Sequence, residues 1–146
     1  MYLVDTNVLS EARKGQRADS GVLAFFAEAS RTRTAMFLSV ITVGELRRGV
    51  ELIRYRGDEQ QALRLESWLG SILAGFQDWV LDVDPDVAQI WARLRVPQAE
   101  NAIDKLIAAT ALVHDLTVVT RNLRYFEMPG LRVLNPFSTV TSTDRR

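Results

Sequence analysis

The sequence predicts an α/β domain whose largely parallel sheet is covered by helices on both faces. Two observations carry this. Short apolar runs, Tyr2-Leu3-Val4, Met36-Phe37-Leu38-Ser39, Trp79-Val80-Leu81, Leu116-Thr117-Val118-Val119 and Leu131-Arg132-Val133-Leu134, read as five strands. Between them lie longer stretches whose apolar residues recur at helical spacing, and strands alternating with helices are the signature of a parallel sheet covered on both sides.

Each element has its own local signal. The first strand stops at the polar turn Asp5-Thr6-Asn7, and Val8 to Arg13 reads as a short helix closed by Gly15. Asp19 or Ser20 caps a helix carrying Val22, Leu23, Phe25 and Phe26. After the second strand, Thr42 and Glu45 have capping-box spacing, with Leu46, Val50 and Ile53 at helical intervals and a stop near Gly57. Asp58 caps a further helix whose broad apolar face includes Leu63, Leu65, Trp68, Leu69, Ile72 and Leu73, ending at Gly75. Asp84-Pro85 after the third strand is an N-cap followed by proline at the first helical position, and Val87, Ile90, Trp91 and Leu94 form that helix's core stripe. Val96 to Asn101 is a loop, and Ile103 to His114 an alanine-rich helix leading into the fourth strand. The pattern shows no repeat and no linker, so residues 1–137 form one domain and residues 138–146 a polar, loose tail.

Composition narrows the class. A chain of 146 residues with 47% hydrophobic and 25% charged residues can bury a core of its own. Without cysteine it has no disulfide framework and no thiolate metal site. No apolar run approaches the roughly 20 residues that span a bilayer. The opening residues lack the basic start and apolar stretch of a signal peptide, so the expected location is the cytoplasm. Eighteen basic residues balance eighteen acidic ones. A nucleic-acid binder often has a basic surplus, so here any such role must come from a local site.

Ligands of open parallel sheets bind at the carboxyl ends of the strands. Asp5 ends the first strand, while Thr120, Arg121 and Asn122 end the fourth. Glu45 lies about a turn into the helix after the second strand, and Asp104 opens the helix that leads into the fourth. Three carboxylates remote in sequence therefore converge on one cleft. Two such charges about 4 Å apart cost on the order of 4 kcal/mol at an effective dielectric near 20, so the cluster calls for protons or a cation. Oxygen donors without histidine or cysteine favour Mg²⁺ or Mn²⁺, and carboxylates with such an ion suit phosphoryl transfer.

Taken singly, each acid has a plainer reading. Asp5 is a turn or cap residue, Glu45 completes a capping box with Thr42, and Asp104 suits a helix start. Asp104 is the most telling, because apolar Ile103, Ile107 and Ala111 beside it imply partial burial. The lone His114 sits at a helix C-terminus, where capping accounts for it. Arg47-Arg48 and Arg54-Tyr55-Arg56 could contact phosphate, a solvated helix face being the default reading.

Together the segments resemble a known family. Met1 to Ser10, Ser39 to Gly49, Ile103 to Ala111 and Leu116 to Asn122 are similar, in order, to the four motifs of PIN-domain toxins of the VapC and FitB type, and Asn135-Pro136-Phe137 to their usual ending. The resemblance implies an α/β/α sandwich. It implies a metal site at Asp5 and Asp104, with Glu45 direct or through water. Thr6 and Thr120 match small polar positions that orient carboxylates or water. Asn122 stands where many relatives carry a fourth acid, and Tyr125 where aspartate is frequent, so this chain is short of a fourth carboxylate. Arg121 or Arg47 would offset charge on the phosphorane.

The implied function is the Mg²⁺- or Mn²⁺-dependent endoribonuclease toxin of a type II toxin–antitoxin pair, with RNA such as transfer RNA as substrate. Its implied partner is a small antitoxin through which alone operator DNA is engaged, within a homodimer-based hetero-oligomer. Apolar residues on the helices from Thr42 to Tyr55 and Asp58 to Ala74 could supply the dimer face. The alternative is a catalytically weak PIN scaffold acting only as a binding module in a repressor complex.

Overall fold

In the computed structural model, which describes residues 1–138, the chain alternates strands and helices as follows. β1 (Tyr2–Val4), α1 (Thr6–Ala12) and α2 (Ser20–Thr32) precede β2 (Met36–Ser39), α3 (Val40–Tyr55) and α4 (Glu59–Gly75). β3 (Val80–Leu81), α5 (Pro85–Leu94), α6 (Ala102–His114), β4 (Thr117–Val119) and β5 (Val133–Leu134) complete it. The strands form one parallel sheet in the order β3-β2-β1-β4-β5. The chain thus winds outward from β1 to β3, returns through α5 and α6 to the other side of β1, and continues to β5.

Strand periodicity divides the core into two layers, because successive side chains point to opposite faces. Val4, Leu38 and Val119 join Val8 and Leu9 of α1, Val22 of α2, Leu46 and Val50 of α3, and Ala62 and Leu69 of α4. Leu3 and Val118 join Ile107, Ala108 and Ala111 of α6, with Phe126 against them and Phe37 and Leu94 at the margin. The sheet is therefore sandwiched between α1–α4 and α5–α6, the expected α/β/α architecture. No helix among the described residues is long and apolar enough to cross a membrane.

Most helix starts follow the sequence signals. Asp19, Asp58 and Asp84 each accept backbone N–H bonds from the first turn of α2, α4 and α5. The expected capping box at Thr42 is a correction: α3 begins earlier, and Ser39 caps it by accepting from the Ile41 N–H at 3.1 Å. A serine ending β2 can enter the helix directly, which places Thr42 inside it, buried, its hydroxyl without a hydrogen-bond partner among the described residues. Leu46, Val50, Ala62 and Leu69, on the helices expected to offer a dimer face, lie in this domain's own core; Tyr55 and Leu63 remain exposed.

The expected tail begins at Ser138, which is held rather than loose: its N–H and hydroxyl donate to the Asp19 carboxylate at 2.9 and 2.6 Å. The rest of that tail lies outside the described residues.

Candidate active site

The sheet order fixes where a site can form. Connections leave β1 toward β2 on one side and arrive at β4 on the other, so the crevice beyond the carboxyl ends of β1 and β4 is the topological switch point. Asp5 follows β1, and Thr120 follows β4. Their backbones continue the ladder, with the Asp5 N–H donating to Val119 O and the Thr120 N–H to Leu134 O, both at 2.9 Å. Side chains at this depth are set by the sheet itself.

Asp5 is 8% exposed, and both of its oxygens are engaged. Oδ1 accepts from the Thr6 N–H at 2.8 Å, which caps α1. Oδ2 accepts from the Thr120 hydroxyl at 2.8 Å and from Asn7 Nδ2 at 3.4 Å. Thr120 is wholly buried, and its oxygen also accepts from Asn7 Nδ2 at 3.2 Å and from the Asn122 N–H at 3.1 Å. Burial raises the Asp5 pKa above the usual carboxylate value, opposed by the bonds from Thr120 and Thr6. Among the described residues, this buried carboxylate has neutral donors and no cation within salt-bridge distance.

Asp104 is the third residue of α6, half-buried. A helix N-terminus should favour its negative form, yet its pKa is raised, first by burial and then by the charges of Asp5 and Glu45. Like charge and desolvation win over the dipole. Glu45, half-buried on α3, lines a groove with Thr6, Ser10, Arg13 and Trp68. The fold thus brings Asp5, Asp104 and Glu45 within electrostatic reach of one another.

Among the described residues no three acidic or histidine side chains form a group that could enclose a metal. That arrangement still fits Mg²⁺ or Mn²⁺ in its donor chemistry, because Mg²⁺ keeps several waters and is commonly held by only one or two carboxylates. Asp5, buried, and Asp104, half-buried and opposed in its ionisation by the charge of Asp5, supply hard oxygen donors of that kind.

The remaining expected residues separate. Thr6 is half-buried beside Glu45, and Thr120 touches Asp5 directly. Arg121 lies at the rim, its N–H donating to Asn7 Oδ1 at 3.1 Å and its guanidinium 4.7 Å over the Phe137 ring. Asn122 joins through its backbone, its side chain exposed. Arg47 is drawn away from the site to Glu66 on α4, at 2.6 Å, and toward Glu51 at 3.5 Å, so the expectation that it offsets phosphorane charge is not supported. Tyr125 packs beside the α6 core, and His114 ends α6 about 15 Å of helix away from Asp104.

Asn7 was missed as a site residue. It ties Asp5, Thr120 and the Arg121 backbone together, and its sequence signals are the polar turn after β1 and its place within the Met1 to Ser10 motif.

Comparison with known proteins agrees with this geometry. Residues 2–131 match the PIN domain. Toxin FitB of Neisseria gonorrhoeae is 39% identical, the match covering 94% of this chain and 99% of that protein. VapC ribonuclease Y4jK of Sinorhizobium fredii is 35% identical over 94% of this chain and 98% of its own length. The crystal structure of FitAcB from Neisseria gonorrhoeae superposes with a TM-score of 0.79 at 35% identity, covering 93% of this chain and 98% of that one.

Proposed function

The chain belongs to the PIN-domain family, and we propose that it is an endoribonuclease, the toxin half of a type II toxin–antitoxin pair. One observation carries the chemical part of this reading. Asp5, at the carboxyl end of β1 beside Thr120, and Asp104, 99 residues further on at the start of α6, lie within reach for the charge of Asp5 to oppose ionisation of Asp104, which supports a shared cation. The names borne by close relatives, a toxin and a ribonuclease, support the same assignment.

PIN-domain ribonucleases are metal-dependent, and the finer reading is that Asp5 and Asp104 hold Mg²⁺ or Mn²⁺ with Glu45 acting directly or through water. Such an ion, when bound, lowers the pKa of its water and offsets charge on a reacting phosphodiester. The protein's own groups do the rest. Thr120, the Thr6 N–H and Asn7 fix the orientation of Asp5 and support its ionised form. In this reading Thr6 and Asn122 orient water. Arg121 is the cation at the rim suited to the charge that develops as the water oxygen bonds to phosphorus and the bridging P–O bond breaks.

The full assignment is a single domain over residues 1–137 working in the cytoplasm on RNA, transfer RNA among the candidates. A small antitoxin restrains it and alone contacts operator DNA, within a hetero-oligomer built on a homodimer.

The test is Asp5→Asn. Asparagine preserves the α1 cap, so folding should survive. Cleavage of RNA in Mg²⁺ or Mn²⁺ should fall by more than the roughly 10–100-fold that loss of an outer-shell partner costs, and growth arrest should disappear. Unchanged cleavage would remove the metal-site reading. The missing fourth acid at Asn122 favours the second reading, a scaffold that binds without cleaving. Calorimetric titration of Mn²⁺ giving neither heat nor cleavage would favour it.

A further inference from the structure

One concavity outside the carboxylate site is lined only by cations and an amide. Arg13 at the end of α1, Lys14 and Arg17 in the turn after it, and Gln61 and Arg64 on α4 enclose about 650 Å³. Lys14 has a partner in Glu11 at 2.9 Å, and Arg64 donates to Gln61 Oε1 at 3.0 Å. Among the described residues, neither Arg13, Arg17 nor Arg64 has a carboxylate within salt-bridge distance.

The contrast with the neighbouring surface is informative. Where α3 meets α4, Arg47 and Arg54 are neutralised by Glu51, Glu59 and Glu66 at 2.6 to 3.5 Å. The same helix α4 therefore presents a balanced region and an unbalanced one. In a chain with equal numbers of acids and bases, gathering uncompensated guanidinium groups around one hollow opposes folding through repulsion, and an anion relieves it.

The hollow is also connected to the chemistry. Arg13 lines it and at the same time lines the groove of about 320 Å³ that contains Thr6 and Glu45. Helix α1 runs from the Asp5 cap to Arg13, a rise of about 12 Å over eight residues. A polyanion leaving the carboxylate site along α1 meets this surface next.

We propose that Arg13, Arg17 and Arg64 form a phosphate track that holds the RNA strand flanking the scissile bond. The proposal rests on the ribonuclease reading above and adds where the substrate's backbone lies. Guanidinium forks suit phosphate oxygens bidentately, and backbone contacts of this kind position a strand without reading its sequence. The carboxylates repel RNA, and a cationic surface beside them adds attraction that does not depend on a bound metal.

The experiment uses the whole chain, wild type and the triple variant R13A/R17A/R64A, with a fluorescent single-stranded RNA. Binding is followed by anisotropy in chelator over a salt series, which keeps affinity separate from cleavage. Three lost phosphate contacts should make the slope of log affinity against log salt shallower by about 2 and weaken low-salt binding by about tenfold or more. R13K/R17K/R64K should retain most of the slope. In cleavage assays R17A/R64A, which leaves Arg13 in the groove beside Thr6 and Glu45, should raise KM for long RNA with kcat unchanged, while an oligonucleotide spanning only the scissile bond should be cut as before.

Equal affinity and slope in the triple variant would overturn the proposal, as would a wild type that binds no RNA. So would a variant that keeps RNA affinity while losing a peptide of acidic and aliphatic residues, which would make the hollow a protein-docking surface. A wild type that binds RNA through these arginines but cuts none would sink the ribonuclease reading and leave the track standing.

Discussion

Replacing Thr120 by valine keeps the shape of the side chain and removes one buried hydroxyl. That hydroxyl donates to Asp5 Oδ2 at 2.8 Å and accepts from Asn7 Nδ2 and the Asn122 N–H. Asn122 is exposed and recovers a water, and Asn7 Nδ2 keeps Asp5 Oδ2 at 3.4 Å. The net loss is one bond to a charged acceptor, about 1.5–3 kcal/mol. For a chain of this size that corresponds to roughly 4–10 °C in Tm. The effect also has a pH signature. Thr120 is the strongest influence lowering the Asp5 pKa, so the variant's Asp5 should hold its proton to higher pH. The stability deficit should then be full at neutral pH and narrow as pH falls through the raised pKa, because a protonated carboxyl depends less on the donor. The acid limb of the pH–activity profile should shift upward. Thermal denaturation and RNA cleavage across pH, with Thr120→Ser as the restoring control, measure both. Equal Tm and identical profiles for valine and wild type would refute the role given to this bond.

Two further changes test neighbouring parts of the argument. Asp104→Asn should abolish cleavage yet raise the Tm of the metal-free protein at neutral pH. A carboxyl whose folded pKa is raised binds its proton more tightly when folded, so it contributes most below the ordinary carboxylate value and loses that contribution as pH rises through the raised one. The advantage of asparagine should therefore vanish in acid, and Mn²⁺ should stabilise wild type more than the variant; a lower Tm in chelator at pH 7 would contradict this. Gly21→Ala reads the carboxyl-terminal clasp. A Cβ there would lie on the Pro136 carbonyl oxygen and 2.6 Å from the Ser138 N, displacing the two Ser138 bonds to Asp19. Alanine favours a free helix by up to about 1 kcal/mol, so the sign decides: denaturation should show a loss of about 1–3 kcal/mol, and a gain would show that the strand end simply moves aside.

Most of the architecture was readable from the order of residues, because strands buried on both faces and helices with one apolar stripe leave plain periodic marks. Leu3 and Val4 entering different layers is that periodicity made solid. The Asp5–Thr120 pairing was readable only as two strand ends, since register between β1 and β4 is a tertiary fact. Capping failed at Thr42 because Ser39 and Thr42 are both acceptable caps and the earlier one lets the helix start against the sheet. Asn7 went unassigned, and the phosphate role offered for Arg47 finds no support, for one reason: a polar side chain's direction depends on which partner it finds, and the sequence does not show Glu66 of α4 pairing with Arg47 on its solvated face.

The crossing of the chain at β1 has a consequence during synthesis. Asp5 leaves the ribosome about a hundred residues ahead of Asp104 and more than a hundred ahead of β4 and Thr120, so the central strand it ends stands without them until they have followed. A nascent chain of this topology therefore carries no competent cutting centre while it is still attached to the machinery that makes it. Any hydrolytic power would arrive only with the closing of the fold, as a late event rather than a gradual one.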